Sequence, residues 1–518
     1  MSLTQSDVLS ALKKLFLATL VYSFLVLCLG YEFGNGDQTE IIPLLENALS
    51  RGYFSKDFFV QNYLIYGHNI RDGMIWLADL GDRFFDLDVW FFLLHAFFSI
   101  IMILGGMTVL RHFTKNRALI IAVICIIWGI LYGINLGSNE IYYPQLIPSL
   151  IAKSLLIWAL LFYIRNKLII WPALVIAAGY WQDMASIQIF ILLSAASFIL
   201  FFLPVLKGNT NLNKAFSNIK ILPLIGFFIY LILFIWLKKD LITGGGSATD
   251  TQVLTDVLLW RVGHHFDPYL FGLKNYIIFI AAAIAGLPIV YKRNVRLFVF
   301  CVLIIIGCLL YAVLYRFIPA IILSQWFKTT IWLKFICFGI LFIFTFEFIL
   351  KWINKNQKLN FQAAILTACL AIGILKGPLH QAVYALPFTK HKPEDEVRIA
   401  QLAALKTTKE ALFLIPPDNS SFKIWSKRSC YIDYKSTVFD ATALKEWLRR
   451  ITLIYEVTPD DAGGFEAYPK MRAGYSKFVR DPLNLRNIGV THFISDEILS
   501  GYDLLGEQGR WRLYRVKK

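Results

Sequence analysis

Apolar runs near the length of a bilayer span recur along this chain, and alternate short loops between them are basic and contain no Asp or Glu. A helix must hold about 20 apolar residues to cross the hydrocarbon core, because each residue advances it only about 1.5 Å. Runs near 15–30, 88–110, 118–136, 149–164, 168–180, 187–206, 221–237, 276–291, 297–315, 331–350 and 361–376 meet or approach that length. They predict an α-helical polytopic membrane protein with about eleven transmembrane helices. The run at 168–180 is short and fits a tilted, paired or partly re-entrant segment. With 57% hydrophobic residues in 518, the chain is more apolar than one soluble core of this size requires.

The net charge of +16 would, in a soluble protein, point to nucleic acid. Its placement argues against such a partner. The basic residues occupy alternate short loops: Arg111, Lys115 and Arg117; Arg165 and Lys167; Lys207, Lys214 and Lys220; Lys292, Arg293 and Arg296; Lys351, Lys355 and Lys358. The positive-inside rule makes these loops cytoplasmic, together with the N-terminus bearing Lys13 and Lys14. Segment 31–86 and the chain after the last span are then extracytoplasmic. Leu15–Leu29 reads as a retained helix, since Gly34–Asp37 lacks a small-x-small cleavage site. Cys430 lies in the terminal polar region and the other cysteines lie in apolar runs, with no spacing for a disulfide or a zinc site.

Two polar regions stand out. The first outer loop, 31–86, predicts an amphipathic helix at Pro43–Leu49, with Leu44, Leu45 and Leu49 on one side. The aromatic-rich Arg51–Phe59 stretch follows, and two short helices on the outer membrane face are expected. After Pro378 the composition turns polar. Ala411–Ile415, Phe422–Tyr434, Val490–Ile494 and Trp511–Val516 read as strands, and Ala443–Tyr455 as an amphipathic helix. The expectation is a transmembrane domain over 1–377 and a small C-terminal extracytoplasmic α/β domain over 378–518. A further outer loop, 238–275, combines the flexible Gly244-Gly245-Gly246-Ser247 with Trp260-Arg261-Val262-Gly263-His264-His265.

Candidate site residues cluster at the expected outer ends of helices. Asp37, in Gly34-Asn35-Gly36-Asp37-Gln38, follows the first span directly, where a carboxylate is expensive and often functional. It could accept a proton from a sugar acceptor, or cap the following helix. Gln38 and Glu40 could hold substrate or support the loop. Asp57 could join Asp37 on a divalent cation such as Mg or Mn, or cap a helix with Ser55. Arg261, His264 and His265 could grip a phosphate, with Arg261–Asp267 pairing and packing on Phe266 as the local alternatives. Adjacent histidines diverge by about 100° on a helix but can converge on a loop. Lys328, beside Trp326 and Phe327, could attract a lipid phosphate or snorkel.

The acidic segment after helix one, the long first outer loop, the many spans and the polar C-terminal domain together resemble the GT-C superfamily of polytopic glycosyltransferases. That group includes protein mannosyltransferases, oligosaccharyltransferases and lipid A aminoarabinose transferases. The pair read Asp-Glu in that family is Asp37-Gln38 here. The resemblance implies an enzyme of the bacterial inner membrane with a lipid-linked sugar as donor, and a glycan, lipid or protein as acceptor. It assigns Asp37 as catalytic base and Asp57, less directly, as the second acid of the loop. The rival classes are a transporter or flippase for lipid-linked glycans and a non-catalytic envelope scaffold.

Overall fold

The computed structural model describes residues 5–49, 52–66, 72–167, 169–206, 248–353, 355–376 and 394–517, with Ile229 and Ile232 between them. The expected span at 221–237, the Gly244–Gly246 run, the loop carrying Lys207, Lys214 and Lys220, and the boundary at 378 lie outside these residues. The chain divides into two compact units. One comprises Met1–Tyr31, Phe91–Phe234 and His264–Thr389. The other comprises Glu32–Trp90, Ile235–Gly263 and Lys390–Lys518. The division is interleaved, with the first polar loop in the same unit as the C-terminal region.

The first unit is helical. Gln5–Leu29, Leu87–Leu110, Asp183–Phe202, Leu273–Arg293, Val295–Leu314 and Ile321–Trp352 are long and apolar enough to cross a membrane. Arg117–Ile130, Pro148–Ile164, Ile170–Trp181 and Asn360–Leu375 are shorter apolar helices. Only 28% of the most apolar window of Leu273–Arg293 is buried. Ile277, Ile280 and Ile284 line up at helical spacing on its exposed side. A stripe like that is stable only against an apolar solvent, which is the physical case for a membrane protein. Polar ends mark where helices start: the Asn116 side chain accepts from the amides of Ala118 and Leu119, and Asn294 from that of Leu297. The helix expected over 118–136 departs from α geometry at Cys125–Ile130, a π segment, and the chain is irregular from there to Pro148. A second π segment, Lys334–Phe338, interrupts the last long span.

The second unit is α/β. Five strands, β1 (Leu412–Leu414), β2 (Ser429–Cys430), β3 (His492–Ser495), β4 (Asp503–Gln508) and β5 (Trp511–Arg515), form one sheet in the order β2-β1-β3-β5-β4. β1 runs parallel to both β2 and β3, while β5 is antiparallel to β3 and β4. Side chains alternate across the sheet as the strand period of two demands. Leu414, Phe493 and Tyr514 face a core with Trp447, Ile451 and Met471, from the helices Ala441–Tyr455 and Tyr468–Val479. Phe413, Ile494 and Leu513 face the opposite core, with Ile399 and Ala403 of the helix Asp395–Lys406.

The first polar loop forms three helices, Gln38–Ala48, Phe58–Tyr66 and Asp72–Asp82. The first begins five residues before the expected Pro43 and contains that proline. Leu44, expected on a membrane-facing side, is buried with Phe54, Phe59, Val60, Val438 and Ala443, so this helix belongs to the α/β core. Gly34 has φ +77, and a Cβ there would stand 3.0 Å from the Trp425 ring, so both backbone and space select glycine. Phe422–Tyr434, expected as strand, contains the short helix Phe422–Ser426 and the two residues of β2. Lys423 is itself buried, so this stretch has no wet face opposite a dry one.

His492 on β3 makes this unit acid-sensitive. Burial first, then the Arg515 and Arg428 charges, bring its imidazole down from 6.5 to about 4. The unfolded chain takes up a proton that the fold resists, so stability present above pH 6.5 is lost as pH falls towards 4. Replacing His492 with Gln should flatten that part of the stability profile, measured by thermal unfolding of the full chain across this range.

Candidate functional site

The α/β unit is held around a buried ion cluster. Lys423 Nζ lies 2.6 Å from Asp433 Oδ2, 3.8 Å from Asp57 Oδ1 and 3.0 Å from Ser436 Oγ. All three charged side chains are almost wholly inaccessible. Asp57 Oδ1 accepts from the Val60 amide at 3.0 Å, capping the helix Phe58–Tyr66, and Oδ2 accepts from the Cys430 amide at 2.9 Å. Asp433 Oδ1 accepts from the Ser436 amide at 2.6 Å. Burial works against the Lys423 ammonium, but Asp433 and then Asp57 outweigh it and hold its pKa raised. The capping alternative for Asp57 is thus what the geometry displays, with the Lys423 ammonium standing where a cation would. Among the described residues no group of three or more His, Cys, Asp or Glu side chains converges as metal ligands.

Directly after Asp433, the chain is gripped from the other side. Arg261, 7% exposed, donates from Nε to the Tyr434 carbonyl at 3.0 Å and from Nη2 to the Lys435 carbonyl. Its guanidinium also lies 5.9 Å from the centre of the Trp447 ring. Burial lowers its pKa, opposed by Tyr434, Asp433, Tyr468 and Asp37. Arg261 was expected as a phosphate ligand or an Asp267 partner; its guanidinium is instead an anchor for the Tyr434–Lys435 backbone. Two or more donors fixed to consecutive carbonyls leave that backbone little freedom.

Lys435, so mounted, extends its ammonium to Asp37, at 3.5 Å from Oδ1. Asp37 is exposed, in helical conformation at the N-cap position of Gln38–Ala48, with no side-chain capping bond. The carboxylate therefore stands at the positive end of a helix without being consumed by it. Gln38 is fully buried and accepts from the Gly34 amide at 2.7 Å, closing the turn that carries Asp37. Glu40 is buried in the first turn of the same helix, where its charge complements the helix dipole. Asp37, Gln38, Glu40, Asp57 and Arg261 thus share one unit, and Lys435 joins them. The sequence carries no local signal for its part here, because Arg261 and Asp37 reach this stretch from 174 and 398 residues away.

His264, His265 and Lys328 belong to the helical unit. Val262 departs from helical torsions at φ −133 and ψ 37, just before the two histidines. Their rings converge to 4.2 Å between centroids, closer than the divergence expected of an undisturbed helix. His265 Nδ1 lies 3.1 Å from the Gly137 carbonyl, which can only accept, so its Nε2 carries the lone pair when the ring is neutral. The Lys328 ammonium lies 6.0 Å from the Phe266 ring centre, and its carbonyl accepts from Asn139. The same unit contains an ionic network built on lysines inside its apolar segments. Glu140 pairs with Lys334 Nζ at 3.0 and 2.9 Å, and Lys153 Nζ donates to Asn139 Oδ1 and the Glu140 carbonyl at 2.7 and 2.5 Å. All three charged residues are buried. The signal was a lone lysine inside each of two apolar runs, 149–164 and 331–350. An apolar cavity of about 650 Å³ lies between Leu273–Arg293 and Val295–Leu314, with Tyr276, Ile280, Leu309 and Phe327 among its walls.

Removing the Lys423 charge should be costly, because Asp57 and Asp433 would keep two buried carboxylates with no ammonium between them. Lys423→Met should lose about 3–5 kcal/mol, the usual penalty for breaking a buried ion pair. Equilibrium unfolding of the full chain in detergent checks this against Lys427→Met, where the lost ammonium is partly exposed and pairs with Glu46.

A family model described as Domain of unknown function (DUF6798) matches residues 394–454, which include Lys423, Asp433 and Lys435. No curated protein matches the chain.

Proposed function

We propose that this protein is a membrane glycosyltransferase of GT-C plan, which moves a sugar from a polyprenyl-phosphate donor to an extracytoplasmic acceptor. The observation that carries this reading is the exposed Asp37 carboxylate, presented at a helix N-terminus beside the mounted Lys435 ammonium. The reaction breaks the bond from the sugar C1 to the lipid phosphate oxygen and forms one from C1 to an acceptor oxygen. Asp37 takes the acceptor proton as the new bond forms. Lys435 turns from Asp37 to the negative charge that grows on the departing phosphate. Arg261 keeps Lys435 in place through the backbone. In the helical unit, the apolar cavity is of a size for part of a lipid chain. His264, His265 and Lys328 are the groups there with the chemistry to attract a lipid headgroup phosphate. The reading includes about eleven spans, a cytoplasmic N-terminus and an α/β unit on the outer side of a bacterial inner membrane.

A transporter or flippase for lipid-linked glycans is the second reading. The buried Glu140–Lys334 pair with Lys153 favours it, because ionisable groups inside membrane segments commonly mark substrate paths.

Purified protein incubated with a panel of polyprenyl-phosphate sugars should consume one of them. Asp37→Asn should slow consumption about 10²–10⁴-fold, the usual contribution of a general base, without lowering expression. Lys435→Met should cost about 10²–10³-fold if it stabilises the leaving phosphate. Undiminished turnover in Asp37→Asn would remove the assignment, and lipid-glycan binding without turnover would favour the transporter.

A further inference from the structure

The α/β unit contains a second constellation, joined to the stretch that carries Lys435 by the Tyr434–Tyr468 ring contact at 5.7 Å. Open α/β sheets bind ligands beyond the carboxyl ends of their parallel strands, where successive connections leave in opposite directions. Here that point lies between β1 and β3. The connection from β1 goes to β2 on one side, and the chain beyond β3 goes to β4 and β5 on the other. The Tyr475 hydroxyl marks the place: it donates to the Ile494 carbonyl at 2.6 Å and lies 3.3 Å from that of Leu414, at the ends of β3 and β1.

The helix Tyr468–Val479 brings one face to these strand ends. Tyr468, Arg472 and Tyr475 are spaced i, i+4 and i+7, so they share that face. Arg472 donates from Nε and Nη2 to Asp418 Oδ2, the former at 3.0 Å, and its Nη1 lies 3.9 Å from Asp496 Oδ2. Asp418 follows β1 and Asp496 follows β3, so the guanidinium spans both loops. Tyr468 has its phenol pKa raised by burial and then by the nearby Asp418 carboxylate. Phe465, 75% exposed, packs at 6.2 Å from the Tyr468 ring. Next to Asp418 stands Asn419, 2% exposed, with neither its Oδ1 nor its Nδ2 hydrogen-bonded. A buried amide without partners costs stability, and a hydrogen-bonding ligand that reached it would recover that cost.

We propose that this cluster at the strand ends is a carbohydrate site. A polyol needs acceptors and donors at close spacing and an apolar face for its C–H groups. Asp418 and Asn419 supply the acceptors, Arg472 and the Asn419 amide the donors, and Phe465 with Tyr468 the face. A free carboxylate ligand would be repelled by Asp418 and Asp496, and a purely apolar one would strand the ions. Binding of sugar here stands by itself; that the sugar is the acceptor of glycosyl transfer rests on the function proposed above.

The test is saturation-transfer NMR on the full chain in detergent, with the methyl glycosides of glucose, galactose, mannose and N-acetylglucosamine at millimolar concentration. At least one should receive saturation from the wild-type protein. Asp418→Ala, at an exposed position, should weaken that binding about tenfold through the lost charged hydrogen bonds. Asn419→Ala should weaken it as well while thermal unfolding stays at or above the wild-type temperature, since a buried unpartnered amide is removed. Lys477→Met, which removes only a pair with Glu456, should bind the same sugar unchanged. Sugar binding with no transferase activity would leave the site standing and remove the acceptor role. Transfer of saturation to none of the four sugars, or equal transfer in Asp418→Ala, would overturn the proposal.

Discussion

The α/β unit depends on one ammonium. Lys423 is buried between Asp57 and Asp433, and Asp57 also reaches the Cys430 amide, 373 residues away in sequence. Burying three charges is expensive, and mutual attraction repays it only when the remaining hydrogen-bonding capacity is filled. Here it is filled by the amides of Val60, Cys430 and Ser436 and by the Ser436 hydroxyl. Those partners exist together only after the first polar loop has docked on the C-terminal sheet. The cluster therefore rewards one assembly of distant segments and penalises others, a role in specificity rather than a large net gain in stability.

The chain between Asp433 and Ser436 passes that order on to the candidate site. On one side Lys423 holds Asp433 and Ser436, and on the other Arg261 holds the carbonyls of Tyr434 and Lys435. Trp447 adds a bond from its indole to the Asp433 carbonyl at 3.1 Å. With its backbone fixed from both sides, Lys435 starts its reach towards Asp37 from a set position, although the pair itself is exposed and weak. Preorganisation of this kind suits a site where charge must be met without rearrangement. The buried Arg261 thus sets the position from which the Lys435 side chain starts.

The helical unit solves a related problem with different means. Glu140 lies in the irregular stretch after one π segment, and Lys334 opens the other. Lys334 also donates to the Leu131 carbonyl, a group released where the first π segment ends. Non-helical backbone inside a membrane protein must find partners among buried polar groups. The lysines and the glutamate satisfy that backbone and each other, so the local departures from α geometry and the buried charges explain one another.

Much of this organisation was legible in the sequence. Apolar run length located the long helices, because the distance across a membrane permits few alternatives. Short apolar runs located β1, β3 and β5, and the amphipathic stripe located the helix Ala441–Tyr455, because burial leaves a local trace. Asp37 could be singled out by its position after the first span. The strand β4 has a polar pattern, Asp503-Leu504-Leu505-Gly506-Glu507-Gln508, and left no such trace. Partnerships left none either. That Asp57 caps a helix and answers Lys423, that Arg261 binds carbonyls rather than Asp267, and that Lys435 faces Asp37 follow from approaches between residues hundreds of positions apart. Local periodicity records which face of an element is buried; only the assembled fold decides what that face, or a buried charge upon it, will meet.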